Sequence, residues 1–223
     1  MPIFLMNTFG SASIGVFLRV TDRFMIIPSQ VPATKIKKLE DWFEMQTVRT
    51  NIGGSVIVGC LVCANSYGII LPRHIWDEEL ATLKSLSGVN IAVATTNKTA
   101  YGNLVSANDR GAVVDPRLGK EDVKLISDAL DVEVVPGEVA GLPYVGSLTI
   151  ATNRGVMAHP MIKSEEEALL REVLKVSVGV GTVNCGIPYI ATGLIGNSNV
   201  AVAGSLTTGP ELFMIGQALG VVD

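Results

Sequence analysis

Residues 50–73 read TNIGGSVIVGCLVCANSYGIILPR, and the spacing inside this stretch decides the fold. Gly59 is followed by Asn65, then Gly68, then Pro72. The same grammar recurs along the chain. Gly15 leads to Thr21, Phe24 and Pro28; Gly102 leads to Asn108, Gly111 and, one place late, Pro116. Gly146 leads to Thr152, Gly155 and Pro160, and a degenerate copy runs from Ala191 through Asn197 and Val200 to Gly204. The positions Thr21, Asn65, Asn108, Thr152 and Asn197 lie 44, 43, 44 and 45 residues apart, and the four prolines step by 44. A repeat of this length implies one supersecondary unit copied five times in a solenoid, a propeller or a closed ring.

Outward from the anchor, each copy reads alike. An apolar strand is expected at Ile14–Val20, Ser55–Ala64, Gly102–Ala107, Val145–Ala151 and Tyr189–Ile195. A tight turn follows, such as Asn65-Ser66-Tyr67-Gly68 or Asn108-Asp109-Arg110-Gly111, expected as a type I turn ending on a left-handed glycine. A second short strand precedes the proline. Helices are expected at Thr34–Gln46, Asp77–Ser87, Lys120–Leu130, Ser164–Lys175 and Pro210–Leu219. Acidic residues crowd their first turns, favoured by the helix dipole, except in the first, which opens with Lys35, Lys37 and Lys38. Ser164 and Glu167 have capping-box spacing, and Pro210 suits a first helical position. A third strand closes each of the first four units, at Thr47–Thr50, Val89–Thr95, Val132–Val135 and Val176–Val180.

The fifth helix is followed only by Gly220-Val221-Val222-Asp223. The first unit, conversely, is preceded by a spare strand at residues 2–6. The economical arrangement is circular: that strand completes the fifth unit and removes an exposed sheet edge. The expectation is therefore a single domain spanning 1–223, an α/β ring of five pseudo-symmetric repeats of about 44 residues.

Composition bounds the function. Hydrophobic residues make up 48% and charged residues 17%, so strands covered on both faces are expected. The uncharged stretches Asn51–Pro72 and Val176–Pro210 are broken by Asn, Ser, Gly and Pro, so no membrane span is expected. The apolar N-terminus lacks a basic segment and is read as strands, not a signal peptide. Three cysteines make no disulfide framework, which fits a reducing cytoplasm. The net charge of −4 disfavours a general nucleic-acid binder.

Catalytic and metal motifs are weak. Cys60 and Cys63 have the letter spacing of a metal motif, but on a strand they would face opposite ways, so no zinc is expected. Cys185, in Val183-Asn184-Cys185-Gly186, is the one candidate nucleophile, and neither His74 nor His159 has an acidic sequence neighbour. The glycine-rich segments 51–55 and 206–211 lack a lysine-serine ending, so no phosphate cradle and no cofactor is expected. Arg23, Arg110 and Arg154 sit at equivalent turn positions, where they could meet a phosphate backbone or an acidic partner.

The combination of Asn65-x-x-Gly68-Ile69-Ile70-Leu71-Pro72, Gly102-Asn103 with Asn108-Asp109, His159-Pro160, Gly181-Thr182-Val183-Asn184-Cys185-Gly186 and Thr207-Thr208-Gly209-Pro210-Glu211-Leu212 resembles the archaeal and eukaryotic translation initiation factor six family over essentially the whole chain. The absence of a tail after the fifth helix resembles the archaeal members. The resemblance implies a pentein-type α/β propeller and no enzyme activity. It implies a cytoplasmic monomer that binds the large ribosomal subunit, at a ribosomal protein near the sarcin–ricin loop, and prevents joining of the small subunit. A role in large-subunit biogenesis is also implied. No free nucleic acid and no membrane is expected as a partner. The family's asparagine matching Asn103 faces the ribosome, and pseudo-symmetry adds Val16, Cys60, Ser147 and Thr192 to the expected ribosome-binding set. The rival reading is a guanidine-modifying pentein enzyme with Cys185 as nucleophile.

Overall fold

A computed structural model describes residues 2–220; Met1 and the last three residues of the expected C-terminal tail lie outside the described part. Five three-stranded sheets follow one another. In the first, Arg19–Val20 pairs antiparallel with Phe24–Ile27, and Gln46–Arg49 lies parallel to that central strand, with Ile27 opposite Arg49. The next three repeat this arrangement around the central strands Gly68–Leu71, Ala112–Val114 and Gly155–Ala158. In the fifth, Leu194–Gly196 pairs with Ala201–Gly204, whose other edge takes Ile3–Met6 from the chain's beginning, with Ile3 opposite Ala201 and Met6 opposite Gly204.

The central strands are buried on both sides, which accounts for the high apolar content. Alternate residues of Phe24–Ile27 serve different neighbours. Met25 and Ile27 pack with Ile36, Leu39 and Phe43 of the unit's own helix, Ala33–Phe43. Phe24 and Ile26 pack with Leu83 and Leu86 of the following unit. In the same way Ile70 packs against Ile126 and Leu130 of the helix Lys120–Leu130. Each helix thus fills the wedge between two sheets.

Two expectations are corrected here. The anchor segments are not strands in their first half. Val58–Leu61, Tyr101–Leu104, Val145–Leu148 and Ile190–Gly193 are single helical turns and Ile14–Val16 is a 3-10 turn; the strand begins only after each. The glycines show why tertiary contact overrides the β-propensity of sequences such as Val-Ile-Val. A methyl group on Gly59 would overlap the Gly15 carbonyl oxygen. Gly102 bears the same relation to Gly59, Gly146 to Gly102, and Gly15 to Ala191, and the turns Val145–Leu148 and Ile190–Gly193 also pack together, which closes the circuit of five anchors. The turn glycines Gly68, Gly111 and Gly155 are not left-handed either. They lie under the last turn of the next unit's helix, against the carbonyls of Ala129, Val173 and Ala218. Glycine is needed there for close approach, not for positive φ.

Candidate functional site: the anchor face and its central mouth

The residue after each anchor position points to the middle of the ring. Val16, Cys60, Asn103, Ser147 and Thr192 are brought together there, all half-buried, and all line one central cavity of about 60 Å³. That volume holds a few water molecules, far below the roughly 300–1,000 Å³ of small-molecule pockets. Cys60 and Asn103 touch through their side chains. Arg19 lies just inside, with Nε donating to the Val62 carbonyl at 2.9 Å. Burial pushes the Cys60 thiol up, with Arg19 and Asn103 opposing in part. Burial carries the Cys63 thiol to about 11, again against Arg19. Neither cysteine is thereby a ready nucleophile.

The other end of the cavity is closed by the hairpin tips. The Asp22 carboxylate accepts from the Ser198 backbone N–H at 2.7 Å and the Ser198 hydroxyl at 2.6 Å. Asp109 accepts from the N–H and hydroxyl of Ser66 at 2.8 and 2.7 Å. Asn153 joins the two halves: Nδ2 donates to Asp22 at 2.8 Å and to Asp109 at 2.6 Å, and its Oδ1 accepts from the Asp109 N–H at 3.0 Å. All five tips form one hydrogen-bonded hub.

The turns behind the tips explain why Asn and Thr alternate in the repeat. Asn65 Oδ1 accepts from the N–H groups of Tyr67 and Gly68, both at 3.0 Å, and the Thr21 hydroxyl accepts from Arg23 and Phe24 at 3.2 and 3.1 Å. Asparagine adds a second function. Its Nδ2 reaches the next unit, from Asn65 to the carbonyls of Asn108 and Leu130, and from Asn108 to those of Thr152 and Leu174.

At the anchor end, a loop precedes each anchor and the third residue of the unit's own helix clamps it. Glu79 accepts from Gly53 N–H at 2.6 Å and Gly54 N–H at 2.8 Å. Glu166 accepts from Ala140 and Gly141 at 2.7 and 2.8 Å. Glu211 accepts from Cys185 and Gly186 at 3.1 and 2.8 Å. Burial works to raise the Glu211 carboxyl, but bonds from Thr208, Gly186 and Thr182 prevail and hold it down at about 2. Asp122 takes the third unit's place, bound by the hydroxyls of Thr96 and Tyr101 at 2.8 and 2.7 Å. One acid of each acidic first turn, Glu79, Asp122, Glu166 or Glu211, thus has a clamping role beyond favouring the helix dipole. The expected capping pair Ser164–Glu167 is displaced by one residue, since Lys163 caps the helix and Glu166 accepts its N–H at 2.9 Å. Pro210 likewise falls one place further in, because the helix begins at Gly209.

Arg23 donates to the carbonyls of Ser66, Ser87 and Gly88, and Arg110 to that of Lys175, so both arginines tie one unit to the next. Cys185 is exposed in a left-handed loop conformation, and no hydrogen bond links it to a histidine among the described residues. His159 is buried, which lowers its pKa against the pull of Glu166, and its Nδ1 accepts from the Met161 N–H at 3.1 Å. Among the described residues no group of three or more His, Cys, Asp or Glu side chains could hold a metal, and no helix is long and apolar enough to cross a membrane.

One feature went unread in the sequence: exposed apolar side chains gather on the loops at the anchor end. Phe9, Ile57, Leu142, Tyr144, Ile187 and Tyr189 lie in the loops before the anchors, and Trp76, Met161 and Leu206 in those after the central strands. Central and third strands run parallel and both end at this face, so the two sets of loops share it with the mouth. Trp76 is 59% exposed and Met161 75%. Aligning the repeats by their anchors would have shown this, because Ile57, Tyr144 and Tyr189 occupy the equivalent position just before the helical turn.

The eIF-6 family profile matches residues 3–218. Translation initiation factor 6 of Nitrosopumilus maritimus is 45% identical, over 98% of this chain and 99% of the relative. The proteins of that name from Pyrococcus furiosus and Methanocaldococcus jannaschii are 45% and 38% identical, each over 96% of both chains. Among solved structures, an agmatine deiminase of C. jejuni shows a partial likeness, with a TM-score of 0.40 and 17% identity over 56% of this chain and 49% of that one.

Proposed function

Because the chain belongs to the eIF-6 family, we propose that it acts in translation initiation by docking its anchor face on the large ribosomal subunit, so that the rigid ring behind that face bars the small subunit. The observation that carries this reading is the composition of the face. A central mouth of Val16, Cys60, Asn103, Ser147 and Thr192 is ringed by nine exposed apolar side chains. Exposed apolar side chains concentrated on one face are the mark of a macromolecular contact. The partner is a ribosomal protein near the sarcin–ricin loop more than bare RNA, since the net charge is −4 and the basic turn residues Arg23 and Arg110 are already engaged. A cytoplasmic monomer with no cofactor and no enzymatic step suits this role, as does participation in large-subunit biogenesis.

Gradient sedimentation tests it. The protein is expected to co-migrate with purified large subunits, not with small ones, and to reduce the joined ribosome peak. Asn103→Arg is expected to weaken that binding tenfold or more while leaving the unfolding transition in place, because it thrusts a long charged side chain into the mouth. Full binding by the variant would remove Asn103 from the interface; no binding by the wild type would overturn the reading.

A further inference from the structure

We propose that the loop Asn7–Ser11 is an anion site for a carboxylate supplied by an aspartate or glutamate side chain of a partner protein. The inference rests on comparing equivalent loops within the chain and does not depend on the ribosomal reading.

In three of the units the loop before the anchor carries consecutive left-handed residues: Gly53-Gly54, Ala140-Gly141, and Asn184-Cys185-Gly186. This geometry aims successive backbone N–H groups at one point, an arrangement suited to anions. Each pair is filled by a glutamate from its own unit, one carboxylate oxygen per N–H, at 2.6–3.1 Å. Phe9 and Gly10 form the same pair, with φ of 53° and 75°, inside the same bridge, here Thr8 to Ser11. But the helix position that supplies Glu79, Glu166 and Glu211 is Lys35 in this unit. Lys35 Nζ reaches the same loop and donates to the Asn7 carbonyl at 2.7 Å and the Asn7 side-chain oxygen at 2.6 Å. Among the described residues neither Phe9 N–H nor Gly10 N–H has an acceptor.

Two further observations separate this loop from its siblings. Thr8 is fully buried and its hydroxyl is unpartnered among the described residues, where the siblings have the apolar Ile52, Val139 and Val183. The surroundings are also positive: the first turn of Ala33–Phe43 has no acidic residue, and Lys37 and Lys38 follow Lys35, while, as at Gly186, nothing lies within 4 Å of the direction a side chain at Gly10 would take. The Phe9 ring is 41% exposed beside the N–H pair and offers a surface for a ligand's carbon stem. The sibling sites favour a planar two-oxygen ligand, hence a carboxylate over a phosphate.

The test titrates ¹⁵N-labelled full-length protein with sodium acetate, with a short poly-aspartate peptide and with inorganic phosphate, at constant ionic strength. The Phe9 and Gly10 amide resonances are expected to move saturably with acetate, and at tenfold or more lower concentration with the peptide. Lys35→Glu supplies the missing carboxylate from within. Its Phe9 and Gly10 resonances are expected at the ligand-bound positions from the start and to lose the response, while Lys35→Gln keeps the response in weakened form. Absence of shifts at these amides in the wild type overturns the proposal. Saturation by phosphate at lower concentration than by acetate overturns the carboxylate assignment.

Discussion

Replacing Asn65 tests the ring's construction most directly, because the molecule contains its own control. Asn65 is only 3% exposed and makes four hydrogen bonds. Two, from Tyr67 and Gly68, hold its own turn; two, to the carbonyls of Asn108 and Leu130, hold the next unit. At about 1 kcal/mol net each, Asn65→Ala is expected to cost about 4 kcal/mol. Asn65→Thr installs the residue that Thr21 and Thr152 use, which keeps the two local bonds and deletes the two between units. It is expected to cost about half as much, near 2 kcal/mol. Urea unfolding followed by far-UV circular dichroism reads both. With a slope of about 2 kcal/mol/M the midpoints fall by about 2 M and 1 M, at unchanged slope. A threonine variant as stable as wild type would refute the argument, since the bonds across the unit boundary would then contribute nothing.

Gly59→Ala is expected to destabilise at or beyond the upper end of the roughly 1–3 kcal/mol typical of overpacking, because the new methyl meets the Gly15 and Leu18 carbonyl oxygens, which are backbone and cannot swing aside; a thermal unfolding midpoint within a degree of wild type would contradict this. Glu211 contributes to acid stability. Its folded pKa of about 2 lies below the ordinary 4.5, so its contribution is present above pH 4.5 and is lost as pH falls toward 2. Glu211→Gln is therefore expected to be less stable than wild type at pH 7 and to converge with it near pH 2; parallel stability curves across that range would refute the clamp's electrostatic role.

The sequence displayed the repeat but not the reason for its residues. Gly59, Gly68 and the glycines at equivalent positions were legible as fixed points, yet each is glycine because of a carbonyl in a neighbouring unit, tens of residues away in the chain. No local rule contains that distance, so left-handed turns were the natural misreading. The helical anchor turns were missed for the same cause: Val58-Gly59-Cys60-Leu61 has strand-like composition, and only backbone stacking around the ring curls it. The five mouth residues were legible, because pseudo-symmetry carries one position to its four equivalents without knowledge of contacts. Arg23 and Arg110 were not, since a capping arginine and a phosphate-binding arginine look alike until the carbonyls of Ser87 and Lys175 are in place.

The two ends of the ring differ in how much of their chemistry is already used, and this favours the anchor end for the proposed docking. At the hairpin end Asp22, Ser66, Asp109, Asn153 and Ser198 satisfy one another, and Arg23 and Arg110 beside them satisfy backbone carbonyls of the next unit. A partner that used these groups would have to break half-buried, charge-assisted bonds before forming its own, at about 1.5–3 kcal/mol for each bond to a charged group. At the anchor end Trp76, Met161 and Leu206 stand in solvent, the N–H groups of Phe9 and Gly10 have no acceptor among the described residues, and Asn103 shares the mouth with a neutral thiol. Association there removes apolar surface from water and gives idle donors their acceptors. Fivefold symmetry is consumed in building one face; on the other, repeats one and three depart from the glutamate clamp, and those departures mark the face we propose for docking.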